Sequence, residues 1–388
     1  MMRENRLAVA VVLVAASLAS AQSNWTVMTT DFSSSAANVA SIDEAGVGIA
    51  TGGGETQVRP WSSIVRLGRG AAAAAPSGLV LCTARGERIV GTPSRIDGNN
   101  LVWKADLGAE LSVPMESVLG ILRDRTQADT LSQPRTEDQA VLQTGDSVKG
   151  ILTDAAPDAF TLTPATGDPV KVPVAPLASF LFAAPPGGRP AVKPPAFLVR
   201  VGPSVIGAES VAIDRDRLAI KISDASTIKV AVADVVAIEH TGGPVAWLSS
   251  RLPAESTQTP YLDGDRPARM DQAVAGGPIR FGGVTYDRGI GVHSRSKLVF
   301  NLEPGDKSFR TRYAIDGPLT RADVDVRVLV DGKIIHEKTG FKAGTLSPVV
   351  EADLTGAKTL TLEVDYGRGF DVQDRLNWIE PAIIRAEK

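Results

Sequence analysis

His240, His293 and His336 are the three histidines of the chain, and Cys82 is its single cysteine. Side chains that move protons or hold metals near neutral pH are therefore scarce. One cysteine makes neither an internal disulfide nor a thiolate zinc cluster. His336-Glu337 lacks the second histidine of a zinc-protease helix. Gly52-Gly53-Gly54 is not followed by the Lys and Ser/Thr of a phosphate loop, and no Gly-x-Ser-x-Gly elbow occurs. The expectation is a protein that is not an enzyme. One loop, Tyr261-Leu262-Asp263-Gly264-Asp265, sets two carboxylates two residues apart. Oxygen ligands in a flexible loop suit a structural Ca²⁺, but a solvated Asp-Gly turn is the more ordinary reading, and no cofactor is expected.

Composition narrows the classes further. Hydrophobic residues make up 43% and charged residues 22%, which excludes a largely disordered chain. A formal net charge of −3 supplies no basic field for nucleic acid. Arg3 and Arg6, the apolar run Leu7 to Leu18 and the small residues Ala19-Ser20-Ala21 read as a signal peptide over residues 1–21. No later apolar run approaches the length of a membrane span, so no membrane insertion is expected once that leader is removed. Secretion, or residence in the periplasm or cell envelope, follows. Cys82 lies in Leu79-Val80-Leu81-Cys82-Thr83 and reads as a small buried hydrophobe in a strand.

The elements that carry the chain are β-strands. Gly (37) and Pro (25) are plentiful enough for a turn-rich β protein. A pattern recurs before residue 242. Arg88-Ile89-Val90-Gly91 leads to Val113-Pro114, and Ser147-Val148-Lys149-Gly150 leads to Val172-Pro173, with 23 residues from Gly to Pro in both. Looser copies are anchored at Pro60 and Ala231. Each anchor is followed, four and seven residues on, by an apolar pair: Ile64/Leu67, Val118/Ile121, Leu177/Phe180 and Val235/Ile238. Similarity at a fixed period predicts one supersecondary unit used four times. We expect β repeats at 22–70 (degenerate), 77–125, 138–183 and 196–242, each of the size of an SH3-like or Sm-like barrel. The Ala-rich run at 70–76 reads as a joint, and 184–195 as a Pro/Gly linker of extended geometry.

From residue 255 to 388 the character changes. Asp323 to Val330 alternates, with Val324, Val326, Val328 and Val330 on one face and Asp325 and Arg327 on the other. Asp331-Gly332 then turns the chain into Lys333-Ile334-Ile335-His336, a strong hairpin signal. Similar runs at 297–302, 309–315, 349–354 and 359–364 predict a β-sandwich or jelly roll.

The run Tyr286-Asp287-Arg288-Gly289-Ile290-Gly291-Val292-His293-Ser294, the Asp316 that follows Tyr313-Ala314-Ile315, the Asp331-Gly332 hairpin and the closing Asp374-Arg375-Leu376-Asn377-Trp378 occur in the order seen in one family. Over roughly residues 258–386 the chain resembles the NPCBM/NEW2 domain, the carbohydrate-binding module found with family 98 glycoside hydrolases. Arg375 and Asn377 stand where that family often has His and a second Asp. The resemblance implies an all-β, galactose-binding-like jelly roll that recognises sugar. Sugar recognition needs a flat ring against C–H faces and fixed polar groups for hydroxyls, and Trp378, Asn377, Asp374, His293 and Arg288 are the ligand-binding candidates. Each has a plainer alternative: Trp378 as a core plug, Asp374 as a brace for the loop after Gly369, and His293 as a loop contact. The favoured expectation is an exported, non-enzymatic glycan-binding protein. The first alternative is a cell-envelope protein whose degenerate sugar site now contacts other envelope proteins. A hydrolase, or an accessory to one, is the least favoured.

Overall fold

The computed structural model describes residues 24–51, 55–69, 78–124, 130–131, 135–185, 188–189, 193–261 and 264–386. The expected leader, the Ala-rich run at 70–76, part of the Pro/Gly linker and Asp263 of the candidate Ca²⁺ loop lie outside them. Among the described residues the regular elements are β-strands and short 3₁₀ turns, so the chain is all-β.

Four stretches before residue 241 end alike. Strands Thr56–Pro60, Ala109–Pro114, Val170–Pro173 and Ser226–Ala231 each finish at an anchor residue, and a tight turn then leads into Ile64–Gly68, Val118–Leu122, Leu177–Leu181 and Val235–His240. The apolar pairs noted in the sequence are all buried in these last strands and share one core. Their spacing of three would put them on opposite faces of a regular strand. A register shift resolves this. Opposite its neighbour, each strand skips one residue: Val65, Leu119, Ala178 and Val236. That is a β-bulge, which inserts one extra residue and returns the second apolar side chain to the inner face.

The last strands also pair with one another. Ile64–Gly68 runs antiparallel to Val235–His240 with Leu67 opposite Ile238, and Val118–Leu122 to Leu177–Leu181 with Ile121 opposite Phe180. A bridge between Val205 and Arg88 completes one continuous 18-stranded sheet. Cys82 is buried in it with Val80, Val90, Leu122 and Leu181.

Beyond residue 244 two sheets face each other. One has Glu255–Gln258, Ser296–Asn301, Thr359–Tyr366, Asp323–Val330 and Lys333–Lys342 in that spatial order. The other has Arg269–Met270, Gly289–His293, Arg375–Arg385, Asp306–Ile315 and Val350–Asp353, with Val245–Trp247 paired to the end of Arg375–Arg385. Val324, Val326, Val328, Leu362 and Phe300 pack against Phe309, Tyr313, Trp378 and Ile383 between them. The hairpin turn forms as the sequence predicts, with φ of 48° at Asp331 and 78° at Gly332.

The outer face of the second sheet is covered twice. The hairpin Ile279–Phe281/Val284–Tyr286 lies over Ala314 and Ile379. The first N-terminal stretch brings Met28, Phe32 and Val65 against Val245, Trp247 and Ala382. Gly291 shows why the Gly-Ile-Gly run is needed: a Cβ there would lie 2.4 Å from the Gln272 carbonyl and from the Val274 nitrogen.

Candidate functional site

Trp378 is 0% exposed. Its ring meets Tyr313 edge-on at 5.6 Å between centroids, and Tyr313 in turn meets Phe341 at 4.8 Å. The indole N–H has no hydrogen-bond partner. Trp378 is thus the core plug of the sandwich and offers no face for a sugar. The cause lies in its strand: Arg375–Arg385 is central, and both of its faces are covered. Asn377, one residue earlier, is equally buried on the opposite face.

Asp374 and His293 sit at one end of the sandwich, where Gly289–His293 ends and Arg375–Arg385 begins, and both are sealed. The Asp374 carboxylate accepts from the Ser294 hydroxyl at 2.7 Å and from the Asp323 N–H at 3.1 Å. Burial pushes its pKa up to about 6 despite those donors. His293 uses both ring nitrogens. Arg266 lies 2.8 Å from Nε2, and the Ser294 carbonyl lies 2.9 Å from Nδ1. A guanidinium only donates, so Nε2 accepts and Nδ1–H donates to the carbonyl. Burial, with Arg266 and Arg375 nearby, lowers the pKa of this imidazole and keeps it neutral.

Arg288 is at the other end of the same strand, away from that rim. It donates to Glu239 at 2.9 and 2.6 Å and to Asp271 at 2.9 Å. The structure therefore brings only His293 and Asp374 together, through Ser294, as a sealed base under the rim. Trp378 lies in the core between the sheets, Asn377 on the other face of its strand, and Arg288 at the far end of Gly289–His293.

What the rim exposes is a different set. Tyr261 and Phe370 are 50% and 54% exposed, with ring centroids 4.5 Å apart, and Tyr366 stands edge-on to Tyr261 at 5.7 Å. The Tyr261 N–H donates to Asp371 at 3.2 Å, and the Tyr366 hydroxyl donates to the Thr259 carbonyl. The loop that presents Phe370 is closely held. A Cβ on Gly367 would lie 2.1 Å from the Asp323 carbonyl, so only glycine passes there. Phe370 and Gln373 take φ of 59° and 67°, strained values for residues with side chains, which tend to cluster where a loop is shaped for a ligand. The Gln373 side chain accepts from the Arg321 N–H at 3.1 Å, fixing the loop from below. Near the rings, Asp371 accepts the Tyr261 N–H, Arg295 pairs at 3.6 Å with Asp365 next to Tyr366, and Arg266 reaches His293 beneath. An open aromatic pair with donors and acceptors beside it suits a neutral, hydroxyl-rich ligand.

Residues 244–384 match the model of the NPCBM/NEW2 domain. The C-terminal sandwich is an NPCBM/NEW2 domain. A 109-residue stretch of the chain is also 28% identical to the "Putative endo-alpha-N-acetylgalactosaminidase" of Renibacterium salmoninarum. That stretch is 26% of the chain but only 7% of the relative's length. Among solved structures, the CBM51 of a Clostridium perfringens GH95 protein, in complex with methyl-galactose, is 24% identical. It matches over 36% of this chain and 99% of its own, with a TM-score of 0.32. The tandem CBM51 modules of a family 98 glycoside hydrolase from Streptococcus pneumoniae are 13% identical over 93% of this chain and 88% of theirs, with a TM-score of 0.32.

Sequence reasoning passed over the rim of this NPCBM domain. Tyr261 opens the loop read for Ca²⁺, and Phe370 closes Gly367-Arg368-Gly369-Phe370. An aromatic directly after a Gly-rich turn was the available signal. As for a metal, among the described residues no three His, Cys, Asp or Glu side chains come together to hold one.

Proposed function

We propose that the chain binds glycan through the distal rim of its NPCBM domain, with Tyr261 and Phe370 stacking on the sugar and Asp371, Arg266 and Arg295 meeting its hydroxyls. The observation that carries this reading is the exposed Tyr261–Phe370 pair on a domain of a carbohydrate-binding family. Asp374 and His293 act from beneath, as braces for the loops rather than as contacts. The role is binding rather than catalysis, which agrees with the lack of any catalytic motif in the sequence. The leader-like residues 1–21 support export to the periplasm, the envelope or the medium. The stretches ending at residue 240 serve as four small β units that carry the domain.

A glycan array probed with the full chain, followed by titration calorimetry on the best sugar, tests the reading. Binding that disappears in a folded Tyr261→Ala variant is expected. Binding that survives in Tyr261→Ala and in Phe370→Ala rejects the rim.

A second reading has its own support. With Trp378 sealed and the polar groups of Asp374 and His293 occupied, the motif residues offer a sugar nothing. The domain would then contact another envelope protein. Partners released by free monosaccharide would defeat that version.

A further inference from the structure

The joint between the N-terminal sheet and the NPCBM domain is short and charged. The last strand before it ends at His240, and Val245 already belongs to a sheet of the NPCBM domain, leaving four residues between. Those four are tied at both ends: the Thr241 hydroxyl donates to the Pro195 carbonyl at 2.6 Å, and the Arg385 N–H donates to the Pro244 carbonyl at 2.7 Å.

Across the joint, three separate N-terminal stretches reach toward one side of the NPCBM domain. Arg66 of Ile64–Gly68 and Arg200 of Phe197–Val201 both bind the Asp287 carboxylate, the second at 3.2 Å. Arg88 of Arg88–Asp97 approaches Asp271 at 3.4 Å. In the opposite sense, Glu239 of Val235–His240 receives both bonds from Arg288, whose side chain is 12% exposed. Burial opposes the charge on Arg288, but Glu239 and Asp271 outweigh it and raise its pKa. Burial alone would raise the Asp271 carboxyl, yet Arg288 and Arg88 hold it below the usual range. Beside this network the Phe32 ring stands edge-on to Trp247 and carries the Arg310 guanidinium over its face at 4.5 Å.

Modules joined within one chain move relative to each other by default unless the interface is large and hydrophobic. Here Met28, Phe32 and Val65 pack against Val245, Trp247 and Ala382 beside the charged pairs. Buried ion pairs add little net stability over apolar packing, but a charge left without its partner in a dry joint is expensive. A changed pose of the NPCBM domain would part Asp287 from Arg66 and Arg200, and Glu239 from Arg288, while Arg288 and Asp271 would keep each other. We infer that the N-terminal sheet holds the NPCBM domain in a single orientation, enforced by this charged joint, so that the domain works as a fixed head. Arg288 and His293 lie at opposite ends of one strand, about 13–17 Å apart at some 3.3 Å per residue. The joint therefore grips one end of that strand while the rim with Tyr261 and Phe370 stays free at the other. Three separate stretches must be assembled before the joint is complete, so the head's pose reports on the integrity of the sheet that carries it.

Distance measurement between spin labels on the full chain tests this without any sugar. Labels replace Ile151 in the N-terminal sheet and Ile335 in the NPCBM domain, both exposed, in a Cys82→Ala background. One narrow distance peak is expected. In Asp287→Asn/Glu239→Gln the peak should broaden about twofold or more while the circular dichroism of the folded chain is kept. Should the double variant fail to fold, Asp287→Asn alone, at a side chain one quarter exposed, carries the same test. A broad distribution in the unaltered joint overturns the inference, as does a narrow peak that persists in the folded variants.

Discussion

The hydroxyl of Ser294 donates to the carboxylate of Asp374 at 2.7 Å, across 80 residues of sequence, and so locks the end of one strand to the start of its neighbour beneath the exposed rim. The same carboxylate holds the Asp323 N–H, which ties in a third loop. The rim is thus built on a buried acid, and that acid titrates within reach of ordinary buffers.

The sign of its effect follows from linkage. The folded-state pKa of Asp374 is about 6, above the 3.8 of the free side chain. The folded state therefore binds a proton more readily, and stability contributed by this group falls as pH rises from about 4 to 6. Two units correspond to roughly 3 kcal/mol at most. His240, His293 and His336 all have lowered pKa values, chiefly through burial, and pull the other way, since their neutral folded forms lose stability as pH drops below about 6.5. The clean measurement is thus a difference. Urea melts of the wild type and Asp374→Asn at pH 4.5 and 7.5 should show the variant relatively more stable at the higher pH by about 1–3 kcal/mol. Parallel pH profiles would show that the carboxyl is not shifted.

Tyr261 and Trp378 give opposite signatures when truncated. Tyr261→Ala removes an exposed ring and should change stability by less than about 0.5 kcal/mol while weakening sugar binding at least about tenfold. Trp378→Ala empties the core and should cost about 3–5 kcal/mol. Thermal melts and calorimetry on the two variants separate contact from scaffold. Loss of binding in a Trp378→Ala chain that melts normally would show the ring has a role beyond packing.

How far the sequence foretold this arrangement depends on the scale of the signal. The alternation of Val324, Val326 and Val328 and the Asp331-Gly332 turn are local, and the strand and hairpin form where they predict. The apolar residues at four and seven after each anchor were legible as a recurrence, but their odd spacing made sense only with the bulges at Val65, Leu119, Ala178 and Val236. The fate of Trp378 was not local at all. It depends on a second sheet and on the Ile279–Tyr286 hairpin, which together close both faces of its strand. Arg288 was drawn into the motif by its neighbours in sequence, while its partner Glu239 lies 49 residues away in another sheet.

Gly291 offers a test of the motif's backbone. A methyl group there would meet main-chain atoms of Gln272 and Val274 at 2.4 Å, and main chain cannot yield as a flexible side chain can. Gly291→Ala should cost about 1–3 kcal/mol by overpacking. Gly356, with φ of 76° and open space around its missing Cβ, is the control. Gly356→Ala should cost about 1 kcal/mol through backbone strain alone. Denaturant midpoints for the pair distinguish close packing from turn conformation.

The charged joint makes its own thermodynamic prediction. Arg288→Met strands Glu239 in a site where its side chain is 10% exposed, and Glu239→Leu deprives Arg288 of two of its three carboxylate bonds. Arg288→Met should cost about 3–5 kcal/mol, because Glu239 keeps its desolvation penalty without a partner, and Glu239→Leu should cost less, because Arg288 retains Asp271. The double change Arg288→Met/Glu239→Leu removes both charges and puts apolar atoms in their place, while Arg88 still serves Asp271. Its cost should fall short of the summed singles by about 1–3 kcal/mol, a coupling that a double-mutant cycle on the full chain reads directly. Additive costs would mean that water reaches the pair and that the two charges are solvated independently.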